Sequence, residues 1–222
     1  MMKWELHCHT DESSSCGKVP AAEVARVLAG AGYTGVVVTD HYNDYTLEKL
    51  FTGSPLERTR AWLRGYEQVK EAGDKLGLRV LFGLEARLPG NENDLLIFGA
   101  EPDFVLETPE LHKLTLPELH ALCHRYGAVM IQAHPGRVNC FRYEAEHLDG
   151  VEGFNGNPRQ VNYNDETCEW AKDFPHLIVT SGSDFHQMPD LDRGGIWTDV
   201  DIRTSADMAK CLKERVFTCI EC

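Results

Sequence analysis

Short apolar runs alternate with amphipathic stretches along the chain, and the alternation predicts strands and helices in turn. Residues 4–8 read as a strand, and residues 20–31 as a helix with one apolar face at positions 21, 24, 25 and 28. Gly35-Val36-Val37-Val38-Thr39 is the continuous apolar run of a strand covered on both faces. Ser54-Pro55-Leu56-Glu57 forms a capping box with proline at the first helical position, and its helix runs to Leu76, where Gly77 stops it. Strands follow at 79–84 and 94–98, then a second box, Thr115-Leu116-Pro117-Glu118, opens a helix that ends near Gly127. Strands at 128–133, 150–154 and 177–180, a short helix at 166–172, a strand at 196–200 and a helix at 206–214 complete the series. Such alternation means βαβ units and a parallel sheet, either open or closed into a barrel. No glycine-rich phosphate loop follows the first strand, which weighs against the open dinucleotide-binding form.

The polar residues decide between the two. His7 and His9 end the first strand, Asp40 and His41 follow the second, and Glu85 follows the third. His134, Asn155, and Asp184 with His186 follow later strands. In a closed barrel the carboxyl ends of all parallel strands share one face, so these residues converge there. Imidazoles and carboxylates together suit zinc, manganese or iron. His7 and His9, two apart on a strand, point to one side and can grip one cation, while Cys8 points the other way.

Composition narrows the picture. Of 222 residues, 42% are hydrophobic and 26% charged, as in a globular protein long enough for one large domain. With 22 Lys and Arg against 35 Asp and Glu, the net charge of −13 repels phosphate backbones and disfavours long nucleic acids as partners. A small phosphorylated metabolite stays admissible, because bound cations reverse the local sign. No apolar run approaches the ~18 residues of a membrane span, and the first residues, with one lysine and no apolar core, do not read as a secretory signal. The expectation is a cytoplasmic protein with no membrane partner; the sequence does not specify an oligomer. The eight cysteines read as reduced thiols, mostly small core residues. Cys219 and Cys222 form a C-x-x-C pair with no second pair to complete a structural zinc site.

The motifs His7-Cys8-His9-Thr10, Thr39-Asp40-His41, Gly83-Leu84-Glu85, Ala133-His134-Pro135 and Gly182-Ser183-Asp184-Phe185-His186 run in order through nearly the whole chain. As a set they resemble those of the PHP (polymerase and histidinol phosphatase) family of metal-dependent phosphoesterases. The resemblance implies an α/β fold, a distorted (β/α)7 TIM-like barrel forming a single domain over residues 1–222. It also implies two or three divalent ions (Mn, Zn or Fe) at the carboxyl face. By the same resemblance His7, His9, Glu85 and Asp184 hold one cation, Glu85 bridges to a second held by His134, and His41 and His186 belong to a third. The chain departs from the family at two places. A third-site Asp or His is expected about where Ser14 stands, and a further His where Asn93-Asp94 stand, with Asp94 a carboxylate substitute.

The expected activity is hydrolysis of a small phosphate monoester, such as a nucleotide or sugar phosphate, by a hydroxide held on cations about 3.5–4 Å apart. If no third ion is present, His41 or His186 serves as the catalytic proton donor or orients the phosphate. Arg137 and Arg193 are candidates for bidentate phosphate contacts, with Lys18 and Asn155 as further substrate-binding candidates. Each also has an ordinary reading, as a surface cation or, for Asn155, as a partner of backbone groups. His112, His120, His124, His147 and His176 lack partner motifs, and His120 with His124 reads as a solvated pair on an outer helix. A histidinol-phosphate phosphatase and an exonuclease fit the same resemblance. A reading from another class is a degenerate domain that binds metal and serves as a scaffold or binding module, motivated by the departures at Ser14 and Asp94.

Overall fold

The computed structural model describes residues 1–221; the Cys219–Cys222 pair therefore falls partly outside the described residues. In chain order the elements are β1 (Met2–Glu5), α1 (Ala21–Gly30), β2 (Gly35–Val38), β3 (His41–Tyr42), α2 (Asp44–Leu50), α3 (Pro55–Trp62), α4 (Arg64–Leu76), β4 (Arg79–Arg87) and β5 (Asp94–Phe98). There follow α5 (Asp103–Glu107), α6 (Leu116–Arg125), β6 (Val129–Gln132), β7 (Gly150–Asn155), α7 (Asn164–Ala171), β8 (Ile178–Gly182), β9 (Ile196–Thr198), α8 (Ser205–Glu214) and β10 (Thr218–Cys219). Both capping boxes form, on α3 and α6. The single helix expected from Ser54 to Leu76 is two, α3 and α4, divided at Leu63.

The strands form one sheet in the order β10-β9-β1-β2-β4-β5-β6-β7-β8, with β3 beside β4. Pairing is parallel along β1-β2-β4 and β6-β7-β8. It is antiparallel on both sides of β5 and between β1 and β9, so the sheet is not parallel throughout. The reason for the reversal is the connection: residues 88–93 are too few for a crossover helix and turn back through Gly90, whose φ is +90°. Because β5 runs backwards, its first residue, Asp94, lies opposite Arg87 at the carboxyl end of β4. The sheet then closes on itself. Cys8 and Phe185 form a parallel bridge just beyond β1 and β8, carried by Phe185 N–H to His7 O and His9 N–H to Phe185 O, each 2.9 Å. The result is a distorted TIM-like α/β barrel with β5 as its reversed stave.

The two ends of the barrel differ. At the amino end, Trp4, Leu6, Val37, Leu81, Phe98, Ile131 and Ile196 pack with Met208, Ala209 and Leu212 of α8 in one buried cluster. Alternate residues of the same strands (Val36, Val38 and Val80) face α1 and α4 in a second cluster. Within the carboxyl end the buried side chains are polar: His7, His9, Glu85, His134 and Asp184 are each 3% exposed or less. No helix of the described residues is long and apolar enough to cross a membrane.

Closure depends on backbone approaching backbone. A Cβ on Gly194 would stand 2.3 Å from the carbonyl carbon and oxygen of Gly182, at the end of β8. Gly194→Ala is expected to lower stability by about 1–3 kcal/mol, the usual range for overpacking. Gly30→Ala meets no atom within 4 Å and is expected to raise stability by about 0.4–1 kcal/mol. Urea denaturation midpoints at constant slope check both signs.

Candidate metal centre

Five imidazoles and two carboxylates meet inside the carboxyl end. His7 Nε2 lies 3.2 Å from Glu85 Oε1 and 3.3 Å from Asp184 Oδ1. His9 Nε2 lies 3.4 Å from Glu85 Oε2 and from Asp184 Oδ1. His134 Nε2 is 3.1 Å from Glu85 Oε1, and His41 Nδ1 is 2.8 Å from Glu85 Oε2. Yet His7 Nε2, His9 Nε2, His41 Nδ1 and Glu85 Oε2 are buried without a hydrogen-bond partner, so of these contacts only that of His134 Nε2 with Glu85 Oε1 has hydrogen-bond geometry. Donors each about 2.1 Å from one ion stand roughly 3.0–3.4 Å apart. Atoms of this spacing that face one another without bonding fit a divalent cation between them.

The outer partners prepare the same atoms. His7 Nδ1 is 2.9 Å from Glu152 Oε1; a carboxylate only accepts, so Nδ1 carries the proton and Nε2 is left for the centre. Ser14 Oγ donates to Asp40 Oδ1 (2.7 Å) and accepts from His41 N–H (2.9 Å). Its remaining lone pair therefore takes Nδ1–H of His9, 3.1 Å away, and His9 Nε2 faces inward. His186 Nδ1 donates to the Asp184 carbonyl at 2.9 Å, leaving Nε2 outward. Ser14, where a metal ligand was expected, is thus spent on orienting His9.

Local backbone irregularity aims these side chains. His134 and Asp184 have φ of 31° and 53°, left-handed values that cost a non-glycine residue about 1–2 kcal/mol. Neighbouring amides are tied down by buried carboxylates: His134 N–H to Glu152 Oε2 (3.0 Å), and Ser183 N–H with His7 N–H to Glu5 Oε1 (2.9 and 3.0 Å). A register shift between Glu152 and Phe154 in β7 breaks the strand alternation. Glu152 and Asn155, three apart, consequently reach one another on the same side, Asn155 Nδ2 donating to Glu152 Oε2 at 2.8 Å. Glu152 and Glu5 are the residues that sequence reasoning missed. Their position in the alternation of β7 and β1 was the only available signal, and the irregularities obscured it.

Burial opposes charge throughout, and the pairings overcome it. The Glu85 carboxyl is held well below the ordinary range by His41 and His7. Asp184 is held well below by His7, His186 and Arg137. Conversely, Asp184, Glu152 and Glu85 hold His7 well above its usual value, and Glu85 does the same for His41. Asp184 raises His186 to about 10. His9 alone goes well down, pushed by burial and by its neighbours His186 and His41.

The other candidates fall in different places. Arg137 reaches the centre: its Nη2 pairs with Asp184 Oδ2 and lies 3.1 Å from Asn155 Oδ1, and its Nε donates to Asn162 Oδ1 at 2.8 Å. Asn155 is buried between Glu152, Arg137 and Asn162. Arg193 and Lys18 are exposed; Arg193 Nε donates to Pro189 O and Lys18 N–H to His186 O. Asp94 is buried, but Arg87 takes both its oxygens at 2.8 and 2.7 Å, and its Oδ2 stays 3.8 Å from His134 Nε2. His112 bonds Asp44, and His176 the Ala145 carbonyl. His147 Nε2 is 3.7 Å from Glu146. His120 and His124 are not merely solvated: both approach Asp149 Oδ1, at 3.4 and 2.8 Å. The described cysteines form no disulfide.

No family model and no curated protein matches the chain. Solved structures do. One is a two-domain protein of Bacteroides vulgatus containing a predicted PHP-like metal-dependent phosphoesterase, with TM-score 0.71 and 21% identity; the match covers 98% of this chain but 64% of that one. An amidohydrolase of Chromobacterium violaceum with bound sulfate matches at TM-score 0.59 and 14% identity over 97% of both chains. A lesion-specific endonuclease of Pyrococcus furiosus matches at TM-score 0.60 and 14% identity, over 96% of this chain and 56% of that one. The chain has the barrel fold of PHP-like phosphoesterases.

Proposed function

We propose that the protein is a metal-dependent hydrolase of small phosphate monoesters. The observation that carries this reading is the set of buried, unpartnered lone pairs on His7, His9 and Glu85 facing one another beside Asp184. His7, His9, Glu85 and Asp184 would hold one divalent cation, and Glu85 with His134 a second. Bound there, such ions supply Lewis acidity toward phosphoryl oxygens and a water acidic enough to ionise near neutral pH. The chain's own residues do the rest. Arg137, fixed by Asp184, Asn155 and Asn162, offers a positioned guanidinium to a phosphoryl oxygen. His41 and His186, whose side chains are 13% and 10% exposed, stand at the mouth. They carry protons there and can pass one to a departing alcohol while no third cation engages them.

The same face favours a substrate of modest size. A cavity of about 360 Å³ is lined by Asn43, Tyr45, Arg87, Leu88 and Glu92, and its Arg87 bonds Asp94 at the carboxyl end of β4. The loops after β6, β7 and β8 expose Val138, Phe141, Val161, Tyr163 and Met188. An organic group with a flat apolar face, such as a nucleoside, suits them better than a bare sugar, while the acidic surface disfavours polymers. The scaffold reading keeps one specific support, the closure of Asp94 by Arg87, which removes a ligand from the second position.

Chelation is expected to abolish phosphate release from a monoester panel, with manganese, zinc or iron restoring it; cation binding without any turnover would favour the scaffold. Glu85→Gln is expected to lose more activity than the roughly 100-fold that an outer partner is worth. Glu152→Gln and Ser14→Ala are expected to weaken metal binding by about 10–100-fold, read by competition with a chelating dye. Cations must displace the extra proton that Asp184, Glu152 and Glu85 hold on His7, which lies well above its usual range. Affinity should therefore rise with pH and keep rising above the ordinary imidazole range, with proton release in calorimetry across buffers of different ionisation heat.

A further inference from the structure

Cys16 lies on the loop between β1 and α1, and that loop is fixed on both sides of it. Gly17 N–H bonds Ser14 O at 3.0 Å, and Gly17 packs so tightly that a Cβ would stand 2.1 Å from Thr10 O. Lys18 N–H bonds His186 O at 2.9 Å. The thiol is thereby held with Sγ 3.1 Å from His186 Nε2, the ring nitrogen left over once Nδ1–H donates to the Asp184 carbonyl. The rings around it are crowded: His9 lies 4.1 Å from His186 and 4.5 Å from His41, centroid to centroid. One nitrogen from each of His9, His41 and His186 lies within 4.8 Å of the other two. His9 Nε2 is fully buried and unpartnered. A sulfur and three imidazoles thus gather at the mouth, and hydrogen bonding accounts for only part of their capacity. Cys8, by contrast, is buried in the core beside Phe185, and Cys140 Sγ is 4.0 Å from His134 Nδ1 on another side of the centre.

We propose that Cys16 is a thiolate ligand to a cation held with His41 and His186, a sulfur-containing position that takes zinc or iron in preference to manganese or magnesium. The inference rests on the metal-centre reading above and gives that centre a position of different chemistry. Glu85, Asp184, His7, His9 and His134 offer only nitrogen and oxygen, which suit manganese as well as zinc, whereas a thiolate selects the softer ions. On binding, the thiol proton leaves to solvent as the sulfur–metal bond forms, and no oxidant or reductant is involved. Cys16 is exposed at the mouth, so the same atom is open to alkylation whenever the cation is absent.

Cobalt(II) tests this on the full chain, stripped by chelator and kept reduced. Wild type is expected to develop a thiolate-to-cobalt charge-transfer band in the near ultraviolet and to bind one more equivalent than Cys16→Ser. Cys16→Ser should lose the band, and Cys140→Ser should keep it. As a check on the unaltered chain, iodoacetamide labelling of the Cys16 peptide should slow by about tenfold or more with zinc bound, because only the free thiolate reacts. If Cys16→Ser keeps both the band and the stoichiometry of wild type, or zinc gives no protection, Cys16 is not a ligand and the inference is overturned while the nitrogen–oxygen centre stands. If no cation binds to wild type at all, the metal-centre reading itself falls and this inference with it.

Discussion

Glu85 and Asp184 place two carboxylates inside a barrel end closed to water, and removing an ion from water costs several kcal/mol even after relaxation. Both are essentially inaccessible. They are not alone: Glu5, Asp40, Asp94 and Glu152 are buried around them. Against these acids the interior sets few permanent cations. Arg87 is committed to Asp94, and Arg137 to Asp184. The imidazoles make up the balance, and the raised His7, His41 and His186 are the electrostatic imprint of that deficit. Divalent cations would supply the same compensation at the point where the unpartnered lone pairs already face one another, without requiring each ring to hold an extra proton.

The rest of the molecule can be understood as the support for that arrangement. The amino half of the barrel is packed with apolar side chains against α8, so the strands have a rigid base from which to deliver their carboxyl ends. Rigidity permits strain. Left-handed backbone at His134 and Asp184 would relax in a loose loop, but Glu152 and Glu5 hold the adjoining amides. The outer acids therefore do two tasks: Glu152 fixes both the tautomer of His7 and the backbone of His134, and Asp40, through Ser14, fixes His9. His7, His9 and the backbone of His134 are thus oriented by residues that do not touch the centre.

Much of this could be read from the chain. The barrel follows from apolar runs ending in His, Asp or Glu, and the capping boxes at Ser54 and Thr115 form as their residues dictate. Periodicity could not give strand direction. The reversal of β5 depends on a six-residue connection through Gly90, a statement about length and geometry rather than polarity. It could not reveal Glu152 either, because a bulge makes its alternation with Asn155 look wrong. The short helices α2 and α5 and the two-residue strands β3 and β10 lacked enough residues to show a period. Partner choice was also beyond local pattern: nothing beside Asp94 in sequence indicates that Arg87 will claim it, since that pairing exists only once β5 folds back on β4.

The departures from the family pattern acquire a common logic when placed on the barrel. Ser14 cannot be a ligand, because its hydroxyl is saturated by Asp40, His41 and His9. The same loop nevertheless brings a donor atom to His186 two residues later, as Cys16. On the other side, Asp94 stands near His134 but has its charge cancelled by Arg87, which withdraws one acid from an already acidic interior. On the proposed reading one position of the centre would exchange an oxygen or nitrogen donor for sulfur, and another, where a histidine was expected, would have its substitute carboxylate occupied by Arg87. Neither change touches His7, His9, Glu85 or Asp184, where the facing lone pairs are most deeply buried. The departures thus lie at the edges of a central set in which His7 Nε2, His9 Nε2 and Glu85 Oε2 keep the buried, unpartnered positions on which the proposed metal centre rests.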